Sequence, residues 1–561
     1  MESVLGHLLD GPGASYFIGI DVGTGSVRAG LVKHDGTLVA SSTEATLTFR
    51  DPDDHRIFEQ STNNIWDGMC KTIRTCLAEA NVSPSAVKGI GFDATCSLAV
   101  TDMNGDPVVV TKGDNIGEIG DRNIILWADH RAEHEAELIN STGSVVLDYV
   151  GGTMSLEMEI PKTLWLKNHM KHDRFARCQF FDLPDFLTYR ATGTNIRSCC
   201  SLTCKCSYVP TKNGWQADFF QNIGLGEFVE NSYAQIGAHK KVLTAGLPVG
   251  SGLSKRAAEE LGLVEGTPVG SGVIDAYAGW LGTIAARYKL NGKLSDEIPS
   301  LMESRHRLAA VAGTTQSPEG VFVNGVWGPY KDAVFPGWWM NEGGQSSTGQ
   351  LIDFMITTHP AYPRLTELAA LQKINIHEVL QAELEKLRVE AGAESLTELT
   401  KDMHLYPDLH GNRSPIADSH MRGSIMGLAL DDGLSDLARK FNVTLEAIAL
   451  QTRHIVDEMN AKGHAIRAIY MSGGQAKNKM LMQLFANTDA GRFAVEAQAV
   501  GPEGQGEALW KIMVEMTPPG TMIPPAASAR EKKLLEAKYK IFRETIEIQK
   551  RWRKEIEEAL Q

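Results

Sequence analysis

Two glycine-threonine turns constrain this chain more than any other feature. Asp21-Val22-Gly23-Thr24-Gly25-Ser26 lies near the start, and Ala312-Gly313-Thr314-Thr315-Gln316-Ser317 follows about 290 residues later. Each comes after a run suited to a buried strand, Phe17 to Ile20 before the first and Leu308 to Ala312 before the second. Glycines there let backbone N–H groups approach an anion closely, and an aspartate at a strand end offers a hard oxygen ligand beside them. After the first turn, Ser26 to Val32, then Asp35-Gly36 and Leu38 to Ser41, read as a hairpin closed by an Asp-Gly turn. After the second, Gly320-Val321-Phe322-Val323 is expected as a shorter strand. Strand, turn, strand is not the dinucleotide fingerprint, which needs a helix after the glycines. No Gly-x-x-x-x-Gly-Lys-Ser/Thr run occurs, which excludes the common phosphate loop. The repetition predicts a duplicated clamp for phosphate and a metal; for either turn alone, a plain hairpin is the simpler alternative.

Between the turns, strand-rich and helix-rich segments alternate, the mark of an α/β domain. Trp66 to Ala80, Ala132 to Asn140, Lys162 to His169 and Pro184 to Ala191 carry helical patterns. Val87 to Phe92, Ser97 to Thr101 and Gly266 to Ile274 read as strands. The last delivers Asp275 to the start of a helix, where a capping role competes with a chemical one. Arg287 to Glu303 is polar and weakly periodic, a linker or surface excursion at the start of the second of two halves, residues 1–284 and 285–561. Beyond it, Pro360 to Leu399 and Leu445 to Lys462 read as helical, and Leu405 to Pro415 as a turn-rich loop. Ile466 to Met471 is a strand running through Ser472-Gly473-Gly474 into a helix over Asn478 to Asn487. Ser528 and Glu531 form a capping box before a helix whose Leu535, Tyr539, Phe542 and Ile546 share one docking face.

With 561 residues and 43% hydrophobic content, the chain can bury two or more ordinary globular cores. A net charge of −14 argues against a nonspecific nucleic-acid binder. Met1 to Ser15 lacks a signal-peptide pattern and no stretch approaches eighteen uninterrupted apolar residues, so a soluble cytoplasmic protein without membrane attachment is expected. The eight cysteines, four of them at Cys199, Cys200, Cys204 and Cys206, read as reduced thiols, without paired Cys-x-x-Cys zinc knuckles. His130 and His134 read as a solvated helix face.

In combination these segments resemble the FGGY carbohydrate kinases, built on the duplicated ribonuclease H-like fold shared with actin and hexokinase. The resemblance runs from Phe17 to about Asp489. It rests on Gly19 to Ser26, Gly91-Phe92-Asp93-Ala94-Thr95-Cys96-Ser97-Leu98, Trp127-Ala128-Asp129-His130-Arg131, Asp275 to Gly279, Asn341-Glu342-Gly343-Gly344-Gln345-Ser346 and Ser472-Gly473-Gly474. Thr95 to Val100 and His410-Gly411-Asn412-Arg413-Ser414-Pro415 look like the ribulokinase branch. The resemblance implies two α/β domains of ribonuclease H type around a central cleft, and ATP-dependent phosphorylation of a ketopentose, D-ribulose foremost. Asp275 would be the catalytic base, and Asp21 together with Asp275 would hold Mg²⁺. Asp93, Thr95, Ser97, Trp127, Lys205 and Glu342 would line the sugar pocket. Gly23, Thr24, Gly25, Gly313, Thr314 and Thr315 would meet the phosphates, and Gly473, Gly474 and Asn478 would border the adenosine. Sugar and ATP are the implied partners, closure of the cleft would exclude water, and pairing of two copies stays open.

One departure bears on activity. Family members follow the strand-Gly-Gly-helix unit with another strand and a Gly-Ala-Ala-rich helix. Here Gly491 to Val495 fits part of that strand, but Gly501 to Gly506 runs straight into Glu507 to Val514, so the second half reads as shortened after residue 491. A regulator that binds sugar and nucleotide with little catalysis is therefore the alternative. L-ribulose, xylulose and ribitol stand beside D-ribulose as substrates, because one hydroxyl's configuration is read by pocket shape. A chaperone- or actin-like ATPase is the third reading, opposed by the motifs around Asp93 and Trp127.

Overall fold

The computed structural model describes residues 15–212, 214–237, 242–310, 314–346, 348–488 and 505–561. Its first sheet grows from the N-terminal hairpin: β1 (Tyr16–Val22) and β2 (Ser26–Lys33) run antiparallel with Val22 opposite Val27, and β3 (Leu38–Ala45) extends β2. Ile18, Ile20 and Val22 alternate with less buried neighbours, as a half-covered strand requires, and pack in one core with Ile65, Trp66, Met69 and Ile73 of α1 (Thr62–Glu79). Ser61 caps α1 by accepting the Asn64 N–H. β4 (Val87–Ala94) lies parallel to β1, and β5 (Val273–Ile274) parallel to β4, giving the order β5-β4-β1-β2-β3. The register sets Asp21 beside Asp93 and Asp93 beside Val273. Three parallel strands thus end level, on the edge where open α/β sheets bind ligands.

A second five-stranded sheet repeats the pattern. β6 (Arg307–Ala309) runs antiparallel to β7 (Thr314–Ser317), β7 to β9 (Trp339–Glu342), and β9 to β8 (Trp327–Lys331), while β10 (Ala468–Tyr470) lies parallel to β6. β10-β6-β7-β9 therefore matches β4-β1-β2-β3 in strand direction; the first glycine-threonine turn joins β1 to β2, and the described part of the second, Thr314–Ser317, is β7 itself. A third sheet, with strands at 49–50, 58–60, 98–102, 124–125 and 178–182, belongs to the first half. The largest apolar core spans both halves, with Trp280 edge-on to Phe335 at 5.7 Å between ring centres.

Several expectations need correction. Gly320 to Val323 is not a strand; the strand is Thr314–Ser317, directly at the turn. Gly320 passes against the Trp339 ring, and the Val321 carbonyl accepts from the Asn341 side chain at 3.1 Å instead of from a neighbouring strand. Of Gly266 to Ile274 only Val273–Ile274 is strand, since Val269 and Gly270 make single bridges to Ile90 and Pro248. The 287–303 segment is no free linker: Tyr288–Leu290 and Lys293–Leu294 form a hairpin that Gly520–Thr521 joins in parallel. The long helix begins at Leu434 rather than Leu445. Ser528 accepts the Glu531 N–H at 3.1 Å, but the Glu531 carboxylate accepts from the Thr397 hydroxyl, so one arm of the expected capping box is absent. The region after Gly491 read as shortened falls largely outside the described residues, which resume with the helix Gln505–Met516.

Candidate active site

Asp275 opens the helix α2 (Asp275–Leu281) immediately after β5, and its Oδ1 accepts the Ala276 N–H at 2.7 Å. Burial pushes its carboxyl up to about 6. Glu342 and Asp21 add to the rise, against the Ala276 amide and Lys205. Asp93 is held well above the usual carboxylate range by burial and by the charges of Asp21 and Asp275. Asp21 itself meets Arg28, Oδ2 to Nη1 at 2.6 Å, at the half-exposed mouth of the first turn. Three carboxyl groups from three neighbouring strand ends therefore act on one another, and burial disfavours the charged form of Asp93 and Asp275.

Around them the structure gathers residues distant in sequence. Gly23 N–H to Ser26 O, 2.9 Å, closes the first turn. The Thr24 hydroxyl accepts from Trp127 Nε1 at 2.9 Å, while the Trp127 amide donates to Ser97 Oγ at 3.2 Å. Lys162, fully buried, donates to the carbonyls of Leu126 and Trp127 at 2.7 and 3.1 Å, and burial lowers its ammonium to about 8. Thr24 thus holds the Trp127 ring, while Ser97 and Lys162 hold its backbone. The motif's Asp129 and Arg131 form a buried clamp with Glu59, at 2.7 and 2.9 Å from the Arg131 guanidinium. Gly25 is exposed, and a side chain there would meet nothing within 4 Å, so the backbone stays open to a ligand.

Lys205, last residue of the helix 199–205, is 1% exposed with its ammonium 4.0 Å from the Trp327 ring centre. Burial presses it toward neutrality, but Cys96, Glu342 and Glu157 outweigh that and hold it above the ordinary amine range. Glu342, at the end of β9, accepts from Arg413 Nη2. Sequence reasoning missed four residues here. Arg413 stacks on Trp327 at 3.7 Å and lies 3.5 Å from Glu157, and His130 stacks on His410 at 5.1 Å. His130 is therefore not the solvated residue expected: burial, with His410 and Lys162 nearby, lowers it to about 4. The His410 to Pro415 motif was the available signal; Glu157 gave none. Thr95 Oγ1, Glu342 Oε2 and Arg413 Nε are buried here without hydrogen-bond partners.

On the other side of Glu342, Gly343, Gly344, Gln345, Arg413, Ser472 and Gly474 border a cavity of about 300 Å³ whose apolar wall includes Leu308, Ile448, Ile455 and Phe485. Gly473 takes φ +82°, a conformation suited to glycine, and leaves open space above it. Thr314 and Thr315 are fully buried in β7, Thr314 Oγ1 without a partner. Gly313 lies outside the described residues. Asn478 caps the following helix, accepting the Leu481 N–H at 3.1 Å. One step along β9 thus carries the chain from Glu342 to the cavity wall.

Among the described residues, no three His, Cys, Asp or Glu groups form a ready metal cage. A Mg²⁺ ion that keeps most of its water needs one or two carboxylates only, and the hard oxygens of Asp21, Asp93 and Asp275 at adjacent strand ends fit it. All eight cysteines are free thiols, and among the described residues no helix is long and apolar enough to cross a membrane.

Comparison with known proteins agrees with this architecture. Residues 16–282 match the N-terminal domain of the FGGY family of carbohydrate kinases and residues 309–490 its C-terminal domain. A D-ribulokinase of Saccharomyces cerevisiae is 44% identical over 494 residues, 85% of this chain and 68% of that protein. A human FGGY carbohydrate kinase domain-containing protein is 39% identical over 555 residues, 96% and 97% of the two chains. The crystal structure of a xylulose kinase from Rhodospirillum rubrum, 18% identical, superposes with a TM-score of 0.70 over 96% of this chain and 99% of that one, and so shares the two-unit ribonuclease H-like fold. With both domains matched in order and relatives aligned along most of its length, the chain belongs to the FGGY family of carbohydrate kinases and is a phosphotransferase acting on a carbohydrate.

Proposed function

We propose that this kinase transfers the γ-phosphoryl group of ATP to a hydroxyl of a ketopentose, D-ribulose before others. The observation that carries this is Asp275, raised to about 6 at the level strand edge and within the electrostatic reach of Glu342 and Lys205. Its carboxylate takes the proton of the attacking hydroxyl, a role that needs a base close to working pH. Thr95 Oγ1 and Glu342 Oε2, buried and unpartnered, suit the hydroxyls of a sugar, and Trp127 offers it an apolar face. Asp93, Ser97 and Lys205 complete the pocket in this reading. Asp21 and Asp275 would hold Mg²⁺, which offsets charge on the β- and γ-phosphates when bound. Gly23 to Gly25 and Gly313 to Thr315 would meet those phosphates in this reading, while Gly473 and Gly474 would border the adenosine. Asn478 supports that border from the helix start. Most of the sugar side falls to residues 1–284, with Glu342 reaching it from the second half, and most of the nucleotide side to 285–561, working in the cytoplasm. The 44% identity to the yeast D-ribulokinase supports the choice of sugar.

A panel of D-ribulose, L-ribulose, xylulose and ribitol in a coupled ADP-release assay tests the reading, with the highest kcat/KM expected for D-ribulose. Preference for another sugar would reassign the substrate. Binding without turnover would turn the protein into a regulator, and ADP release without sugar into a plain ATPase.

Pairing of two copies is part of the same reading. Trp552, Ile556 and Leu560 form an exposed stripe near the end of the last helix, where basic Lys550 to Lys554 is followed by acidic Glu555 to Glu558. Such a segment complements itself in antiparallel register. Sedimentation equilibrium should find a concentration-dependent dimer that Ile556→Glu dissociates; a dimer indifferent to that change would place the contact elsewhere.

A further inference from the structure

Arg413 stands between the two pockets. Its guanidinium lies 3.7 Å over the Trp327 ring, bonds Glu342 Oε1 through Nη2, and comes within 3.5 Å of Glu157 from the first half. It is also the one charged side chain among the described residues lining the cavity of about 300 Å³. Gly344 makes this possible, because a side chain there would stand 2.9 Å from the guanidinium carbon.

The pairing with Glu342 is incomplete in an informative way. Arginine and a carboxylate commonly close with two parallel bonds, yet only one is made here. Arg413 Nε and Glu342 Oε2 are both buried and both without partners. One is a donor only, the other an acceptor only. A hydroxyl, which accepts and donates at once, satisfies both.

We propose that Arg413 is a specificity-determining residue shared by the two substrates: with Glu342 it clasps one sugar hydroxyl, and its charge faces the nucleotide's phosphates in the cavity, so that each ligand organises the site for the other. The inference rests on the proposed function above.

Calorimetry with the sugar that turns over, a non-hydrolysable ATP analogue, and both together tests it. In the wild type each ligand should tighten the other by the same factor, as linkage requires. Arg413→Gln should abolish that factor and raise the sugar KM about 10- to 100-fold, the loss of a charge-assisted bond. Arg413→Lys keeps the charge without the fork, and should retain nucleotide affinity while losing sugar affinity. Should the variants fail to fold, wild-type enzyme with single-deoxy sugars serves instead: one deoxy position should remove the coupling. Retention of coupling by Arg413→Gln, or by every deoxy sugar, would overturn the inference in an enzyme that remains active. Absence of turnover with all sugars would overturn the proposed function and this inference with it.

Discussion

Asp275 is where the chemistry can be tested residue by residue. If it is the base, kcat/KM rises with pH through about 6, because the carboxyl must lose its proton, whereas an ordinary aspartate would place that limb near its usual 3.8. Asp275→Asn should lower kcat about 100- to 10,000-fold, the range of general-base catalysis, while sugar binding survives. The same shift carries a stability sign. The folded-state pKa lies above the unfolded one, so the folding penalty of the charged form is absent well below pH 4 and fully present above about 6. The Asn variant should therefore melt no lower than wild type at pH 8. Asp21, Asp93 and Asp275 were legible from sequence because each ends an apolar run, a position readable without any partner. Arg413, Glu157 and the His130–His410 stack were not, since each gains meaning only from a contact with residues far along the chain.

Among the elements, the helix Ala529–Ala559 was the most readable and concealed the most. Its stripe of Leu535, Tyr539, Phe542 and Ile546 is buried as its period predicts. Lys538 is buried in the same helix, 3% exposed, its ammonium 2.6 Å from Glu446 and bonded to the carbonyls of Thr400 and Met403. Sequence alone reads such a lysine as solvated, because its counter-charge sits on a different helix. Lys538→Met should cost about 3–5 kcal/mol in denaturant unfolding by stranding the Glu446 charge, and adding Glu446→Leu should return part of it. An undiminished midpoint would show that Glu446 is already neutral. The strand at Thr314–Ser317 and the shortened β5 escaped sequence reading for the opposite reason: they are two to four residues long, and pairing across the sheet rather than composition defines them.

At the scale of the whole molecule, duplication was legible because two similar turns recur in two similar strand contexts. The way the halves engage was not. Core packing from Trp280 to Phe335 and the polar contacts of the His410–Pro415 loop join them. Closure around both ligands should reduce the radius of gyration in small-angle scattering relative to the free protein, and an unchanged radius would argue for a cleft already shut. The origin of the polar groups around Trp327 has a further consequence. Lys205 and Glu157 come from the earlier part of the chain, Glu342 and Arg413 from the later. With these groups reading the sugar as proposed, a chimaera that borrowed only the leading portion of a relative with another substrate preference would inherit half of the recognition surface and leave the rest addressed to the original ligand.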